Sequence, residues 1–230
     1  MLTISWQDID TVLFDMDGTL LDLHYDNHFW LSYLPQKYAE KHGGSPEESR
    51  IKLSKAFAET YGTLNFYCVE HWSKVLDIDI VALKREATEK IQFLPGAEEL
   101  LRKLRLQSQA PKLVIATNAH RAVFNIKDEK LNLKPQFDAV FCANEFGAPK
   151  EEKKFWESLQ NEFSFDPKHS LLIDDNQTVL QSALDYGIAN VVLPLKPDTT
   201  KDSQINHLGC PAVHSLKEII PNPDFSNADR

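Results

Sequence analysis

Five short apolar runs punctuate the chain, at residues 11–14, 113–116, 139–142, 171–173 and 191–193. In runs such as Val12-Leu13-Phe14 and Leu113-Val114-Ile115-Ala116, apolar residues follow one another without polar alternation. A strand buried on both faces requires that pattern. Helical patterns lie between the runs. Residues 96–106 place Leu100, Leu101 and Leu104 on one face, and residues 151–163 do the same with Phe155, Trp156, Leu159 and Phe163. Residues 177–186 form a third such stretch, with Gly187 placed to end it in a left-handed conformation. Alternating strand and helix predicts an α/β fold: an open parallel, Rossmann-like sheet covered by helices on both faces.

One segment departs from this rhythm. Residues 22–92 contain no convincing strand, several helical patterns and many aromatics, among them Phe29, Trp30, Tyr33, Tyr38, Phe57, Tyr61, Phe66, Tyr67 and Trp72. Pro95-Gly96 then marks a return to the alternating pattern. The expectation is a small helical cap domain (residues 22–92) inserted after strand one of an α/β core (residues 1–21 and 93–230). Two crossings, near 21–25 and 90–95, would join them. The polar tail, 221–230, is expected to be poorly ordered.

Composition narrows the function classes. The chain has 230 residues, 42% hydrophobic and 26% charged, as a globular protein of this size does. No apolar run approaches the ~20 residues that cross a bilayer. Residues 1–8 lack a basic stretch, a long apolar core and a small-residue cleavage site, so the expected location is the cytoplasm. Cys68, Cys142 and Cys210 are scattered, which fits a reducing compartment better than a disulfide framework or a zinc site. A formal net charge of −9, without basic clusters, argues against nucleic acid as a partner. An anionic substrate would need a local positive centre, a metal ion or a placed lysine.

Chemistry gathers where the apolar runs end. Asp15 and Asp17 follow the first run, with Gly18 and Thr19 directly after them. Thr117 and Asn118 follow the second, Lys150 follows the third after a short loop, and Asp174 and Asp175 follow the fourth. Ligands bind at the carboxyl ends of strands in open α/β sheets. Four separated pieces of sequence are therefore expected to meet. Together they offer four carboxylates, a hydroxyl, an amide and one ammonium, an inventory suited to a divalent cation holding a phosphate. Buried acids this close are costly unless a cation neutralises them.

These motifs, in this order, resemble the haloacid dehalogenase-like hydrolase superfamily, and the position of the insert resembles its helical C1-type cap. The resemblance implies that Asp15 is a nucleophile forming an aspartyl-phosphate and that Asp17 is the general acid and base. It implies Mg²⁺ held by Asp15, the backbone carbonyl of Asp17, and the Asp174–Asp175 pair, with Asp175 the direct ligand. Thr117, Asn118 and Lys150 would bind phosphate. Dehalogenase members carry Tyr, and phosphonatases a small residue, where this chain has Asp17, so phosphoryl transfer is implied. Residues 6–10, 20–27 with Phe29 and Trp30, 64–68, 117–120 and 146–150 further resemble the bacterial GMP/IMP nucleotidase subgroup. That implies a phosphomonoesterase for a small purine 5′-mononucleotide.

Two alternatives stay open: a sugar-phosphate phosphatase or phosphoglucomutase-like enzyme, and a non-catalytic phospholigand-binding protein. Asn65, Tyr67, His71 and His120 are candidates for contacting the base, although Phe66, Tyr67 and Trp72 also suit a packed helical core. His24 and His28 are spaced i, i+4 like helical zinc ligands but have no evident third partner. The loop 194–211 follows the fifth run and is expected on the site's side.

Overall fold

The computed structural model describes residues 4–221; the expected disordered tail therefore lies, beyond Pro221, outside the described residues. Six strands form one sheet: β1 (Thr11–Phe14), β2 (Lys112–Thr117), β3 (Ala139–Cys142), β4 (Ser170–Ile173), β5 (Asn190–Pro194) and β6 (Ala212–Val213). Their order is β3-β2-β1-β4-β5-β6, and every named pairing is parallel. The five predicted strands are present. β6, two residues long, carries too short an apolar signal to be read from sequence.

Period-two alternation divides the sheet's side chains between two cores. Val12, Phe14, Leu113, Ile115, Leu171 and Ile173 belong to one, and Leu13, Val114, Ala116, Leu172, Val191 and Leu193 to the other. Both are buried and apolar, which is why the runs show no polar alternation. The first core continues through α7 (Ala97–Arg105) and α8 (Arg121–Leu131) and into the helical segment at Tyr25, Phe29 and Trp72. The second is closed by Phe155, Trp156 and Leu159 of α10 (Lys153–Glu162) and by Val179, Leu180 and Ala183 of α11 (Gln177–Tyr186). Helix α11 ends at Gly187, whose φ of +115° is costly for any other residue. The pattern at 151–163 becomes a helix only at Lys153, because a separate turn of helix, α9 (Ala143–Phe146), and a tight loop carry the chain to Lys150 first.

Between His24 and Lys90 the described secondary structure is helical. The elements are α1 (His24–His28), a π-helical turn (Phe29–Tyr33), α2 (Leu34–His42), α3 (Pro46–Thr60), α4 (Leu64–Tyr67), α5 (Val69–Leu76), α6 (Ile80–Glu86) and a 3-10 turn (Thr88–Lys90). Helix α3 starts with a full capping box, Ser45 and Glu48 each bonding the other's backbone N–H. The two crossings into this segment are bonded to each other. Leu21 bridges Phe93, Asp22 N–H donates to the Gln92 carbonyl (3.0 Å), and Leu94 N–H donates to the Leu20 carbonyl (2.8 Å). The Asp22 carboxylate accepts from His24 N–H, Gln92 Nε2, Thr199 N–H and the Thr199 hydroxyl, and these bonds hold it below the usual carboxylate range despite burial. Loop 194–211 thereby docks on the first crossing. Among the described residues, no helix is long and apolar enough to cross a membrane.

Leu13 is fully buried in the second core, one residue before the strand's last position. Leu13→Ala is expected to cost about 2–5 kcal/mol of unfolding free energy in urea titrations. A loss well under ~1 kcal/mol would mean that this face of the sheet is not packed as described.

Candidate active site

Register brings the acids together. Phe14 pairs with Ile115 on one side and Ile173 on the other, and Asp15 N–H continues the ladder to the Ile173 carbonyl (2.9 Å). Asp15 and Asp174 therefore emerge side by side where the connections leave in opposite directions, the usual ligand crevice of such sheets. Lys150 arrives from the loop after α9, its backbone N–H held by the Asn118 side-chain oxygen at 2.9 Å. Its ammonium lies 2.5 Å from Asp15 Oδ1 and 2.6 Å from Asp174 Oδ2 and is 2% exposed. Burial would lower the Lys150 pKa, but the two carboxylates overcome it and hold it above the ordinary lysine value.

Gly18 makes room for the fourth acid. Its φ is +84°, and a Cβ there would stand 2.5 Å from the Asp175 carboxylate. Asp15, Asp174 and Asp175 each offer an oxygen within 4.8 Å of the others. One ammonium cannot balance three carboxylates. Burial pushes Asp174 up to about 7, with Asp15 adding to the effect. Burial and both neighbouring aspartates push Asp175 well above the usual range. Asp174 is committed through both oxygens, to Lys150 and to Asn176 N–H (2.9 Å). This compact, charge-deficient, all-oxygen donor set fits a hard divalent cation such as Mg²⁺.

Asp17 sits in a second ion network that the sequence reading missed. Its carboxylate accepts from Lys127 of α8 at 2.5 Å; Lys127 also reaches Asp26 of α1 at 2.6 Å, and Asp26 reaches Lys84 of α6 at 2.7 Å. Both lysines are 1% exposed. Lys84 lies 4.3 Å from the centre of the Phe29 ring and also over Tyr25 and Trp30, which compensates part of its burial. Burial pushes Asp17 up to about 7, against the pull of Lys127. Asp26, flanked by two ammoniums, is held below the ordinary range although burial opposes this. A sequence signal did exist: Lys127 follows Val123 and Phe124 by four and three residues, and Lys84 follows Ile80 by four, so each lies on a buried helical stripe.

A cavity of about 580 Å³ rises from these acids. Asp15, Asp17, Thr117, Asn118, Lys150, Asp174 and Asp175 line its floor, so the structure brings every predicted core-motif residue together. Trp30, Phe57, Tyr61, Phe66, Tyr67 and Trp72 form much of the opposite wall. Trp72 is both buried core and cavity lining, its ring edge-on to Phe57 at 4.8 Å. Thr117 Oγ1 accepts from Ala119 N–H, leaving its own proton free to donate. The Asn118 amide is engaged at both ends, to Lys150 N–H and through Nδ2 to Glu151 Oε2 (2.9 Å). Glu151, also missed in the sequence, accepts from the Tyr67 hydroxyl at 2.9 Å and so joins the two walls.

Tyr67 and His120 line the cavity; Asn65 and His71 are not among its lining residues. In α5, Val69 and Trp72 face inward, and a residue two positions from Val69 points the opposite way, so the His71 ring packs beside Trp72. His24 and His28 have ring centres 6.1 Å apart and belong to neither three-ligand cluster among the described residues.

Comparison with known proteins places this geometry. Residues 9–187 match the haloacid dehalogenase-like hydrolase family. The chain is 30% identical over 221 residues to the GMP/IMP nucleotidase YrfG of Escherichia coli, covering 96% of this chain and 98% of that one. Among solved structures, a HAD phosphatase from Thermococcus onnurineus superposes with a TM-score of 0.77 at 21% identity, over 91% of this chain and 95% of the other. The L-2-haloacid dehalogenase of Xanthobacter autotrophicus superposes with a TM-score of 0.62 at 14% identity, over 91% and 96%. The fold alone thus spans different chemistries, and the side chains at the strand ends must separate them.

A group whose pKa rises on folding stabilises the protein at low pH, and that stability is lost as pH rises. At pH 8 in EDTA, Asp175→Asn is therefore expected to raise the melting temperature, by about 2–4 °C per kcal/mol relieved. Millimolar Mg²⁺ should then stabilise the unsubstituted protein more than the variant, since only the native site binds it fully. A variant less stable in EDTA, or equal Mg²⁺ gains in both proteins, would contradict the charge-deficient site.

Proposed function

Because this chain belongs to the haloacid dehalogenase-like hydrolase family and is a phosphoric monoester hydrolase, we propose that it is a Mg²⁺-dependent purine 5′-nucleotidase acting on GMP and IMP. The observation that carries this reading is the pairing, in one cavity of about 580 Å³, of the Lys150-clamped Asp15 with a wall of aromatic side chains. The near-full-length similarity to a nucleotidase supports the same substrate class. Aromatic faces suit a flat purine better than a sugar, which favours a nucleotide over a sugar phosphate.

In this reading Asp15 attacks phosphorus in line and becomes an aspartyl-phosphate while the ester oxygen leaves. Lys150 offsets the charge of Asp15, so attack on an anionic phosphate is not opposed by an unscreened carboxylate. Asp17, pushed up to about 7 by burial, is substantially protonated at neutral pH and gives its proton to the departing oxygen. Once ionised, it takes a proton from the water that hydrolyses the intermediate. The Lys127 ammonium orients Asp17 through Oδ1 and leaves the second oxygen for the substrate. Thr117 donates to a phosphoryl oxygen, while Asn118 fixes Lys150 and Glu151. Mg²⁺, held by Asp15, Asp175 and the Asp17 backbone carbonyl and supported by Asp174, would neutralise phosphoryl oxygens.

Residues 22–92 act in this proposal as a cap that supplies the base-facing wall, hinged at the paired crossings around Leu21 and Phe93. Cytoplasmic residence belongs to the same proposal, supported by the three free cysteines.

A panel of phosphomonoesters assayed with and without Mg²⁺ tests the substrate. GMP and IMP are expected to exceed glucose phosphates in kcat/KM, with phosphate and nucleoside released in equal amounts; a preference for sugar phosphates would overturn the nucleotide reading. Asp17→Asn should lower kcat/KM, which reports the steps up to departure of the leaving group, by about 10²–10⁴-fold on GMP. The loss should be much smaller on p-nitrophenyl phosphate, whose leaving group needs no proton. Equal losses on both would remove Asp17 from the role of acid.

A further inference from the structure

At the cavity rim a second cluster of donors joins its two walls. Cys68 is the N-cap of α5, Glu70 lies in that helix's first turn, and His120 is the N-cap of α8. The His120 Nε2 atom stands 2.9 Å from Glu70 Oε2, and Cys68 Sγ stands 3.6 Å from the same oxygen. One donor atom from each of the three falls within 4.8 Å of the others. A tetrahedral zinc ion with bonds of about 2.0 Å to N and O and 2.3 Å to S sets its ligands ~3.3–3.5 Å apart. The cluster reaches that geometry by shifts of a few tenths of an ångström at Glu70 and a modest closure between Cys68 and His120. His120 is buried and Glu70 exposed, so the ion has a route from solvent.

We infer that Cys68, Glu70 and His120 form a site for one borderline-soft divalent ion of the zinc class, distinct from the Asp15–Asp174–Asp175 cluster, and that the bound ion ties α5 to α8 across the cavity. The donors separate the two sites. Three carboxylates select a hard ion, whereas thiolate with imidazole selects zinc or cadmium. Charge also closes: a thiolate and a carboxylate neutralise the dication, and the thiol proton leaves to solvent. Three protein ligands leave a fourth position for water.

One existing bond limits the affinity. His120 Nδ1 accepts from Ala122 N–H at 3.3 Å, and an ion on Nε2 requires the ring proton at Nδ1, so that long cap bond is given up. The site is therefore a reversible clamp, unlike a closed four-ligand structural centre. With the ion bound, the two rim helices are held together beside Val69, Trp72, Asn118 and His120, all of which line the cavity. Substrate passage is hindered in that state.

The test uses the whole protein with Mg²⁺ saturating and Cd²⁺ as a spectroscopic probe. Titration should give an ultraviolet thiolate-to-cadmium absorption band that saturates at one ion per chain. Cys68→Ser keeps an N-cap oxygen for His71 N–H and should abolish the band. Glu70→Gln should weaken binding by more than about 100-fold, beyond the 10–100-fold typical of losing a mere supporting residue. Zn²⁺ should inhibit p-nitrophenyl phosphate hydrolysis by the unsubstituted protein at concentrations that leave both variants active, and their uninhibited rates should match it. The inference is overturned by a missing band, by a band that persists in Cys68→Ser, or by equal Zn²⁺ sensitivity in all three proteins. The absorbance readout needs no substrate, so its failure is distinct from a failure of the nucleotidase proposal.

Discussion

The site is organised by the Lys150 ammonium, which sits buried between Asp15 and Asp174 at the floor of the cavity. Two unit charges 4 Å apart attract by about 4 kcal/mol at an effective dielectric of ~20, and these pairs are closer. Their value is offset by the cost of burying all three groups, so the arrangement is poor as a device for stability. It makes better sense as preorganisation: the strand-end carboxylate is held in place and its charge screened before any anion arrives. Asp175 lies beside this trio without an ammonium of its own among the described contacts, and a cation is what the balance still lacks.

A second charge network ties the first to the helical segment. Asp17 is linked through Lys127 to Asp26 and then to Lys84, so a proposed proton donor on the sheet shares its lysine with an acid on α1. Tyr67 and Glu151 make a separate link between the walls, through Asn118, to the loop that places Lys150. Movement of the helical segment would therefore be felt at both acids through hydrogen-bonded charges rather than through apolar packing alone. This coupling is a physical route by which occupation of the upper cavity can influence proton transfer at its floor.

Much of this was legible in the sequence, for specific reasons. Val12-Leu13-Phe14 and its counterparts declare strands covered on both faces, and acids directly after them declare strand ends. Each motif is a few contiguous residues, and parallel register assembles them without further information. Lys127, Lys84, Asp26 and Glu151 were less visible because charged residues on helices and loops usually face water, and only the three-dimensional closure of the helical segment buries them. Asn65 and His71 illustrate the opposite case, since neither lines the cavity. Residue type suggested base contacts, but helical phase turns His71 away from the wall that Val69 and Trp72 present.

Covalent capture of phosphorus by Asp15 is the claim on which the functional account turns. Acid-quenched turnover of p-nitrophenyl phosphate by Asp17→Asn, in which the leaving group needs no acid while hydrolysis of the intermediate lacks its base, followed by peptide mass spectrometry, measures it directly. The account predicts one added PO₃ group on the peptide carrying Asp15, absent when Asp15→Asn is combined with it. Steady turnover with no adduct at Asp15, or an adduct on another residue, would contradict it.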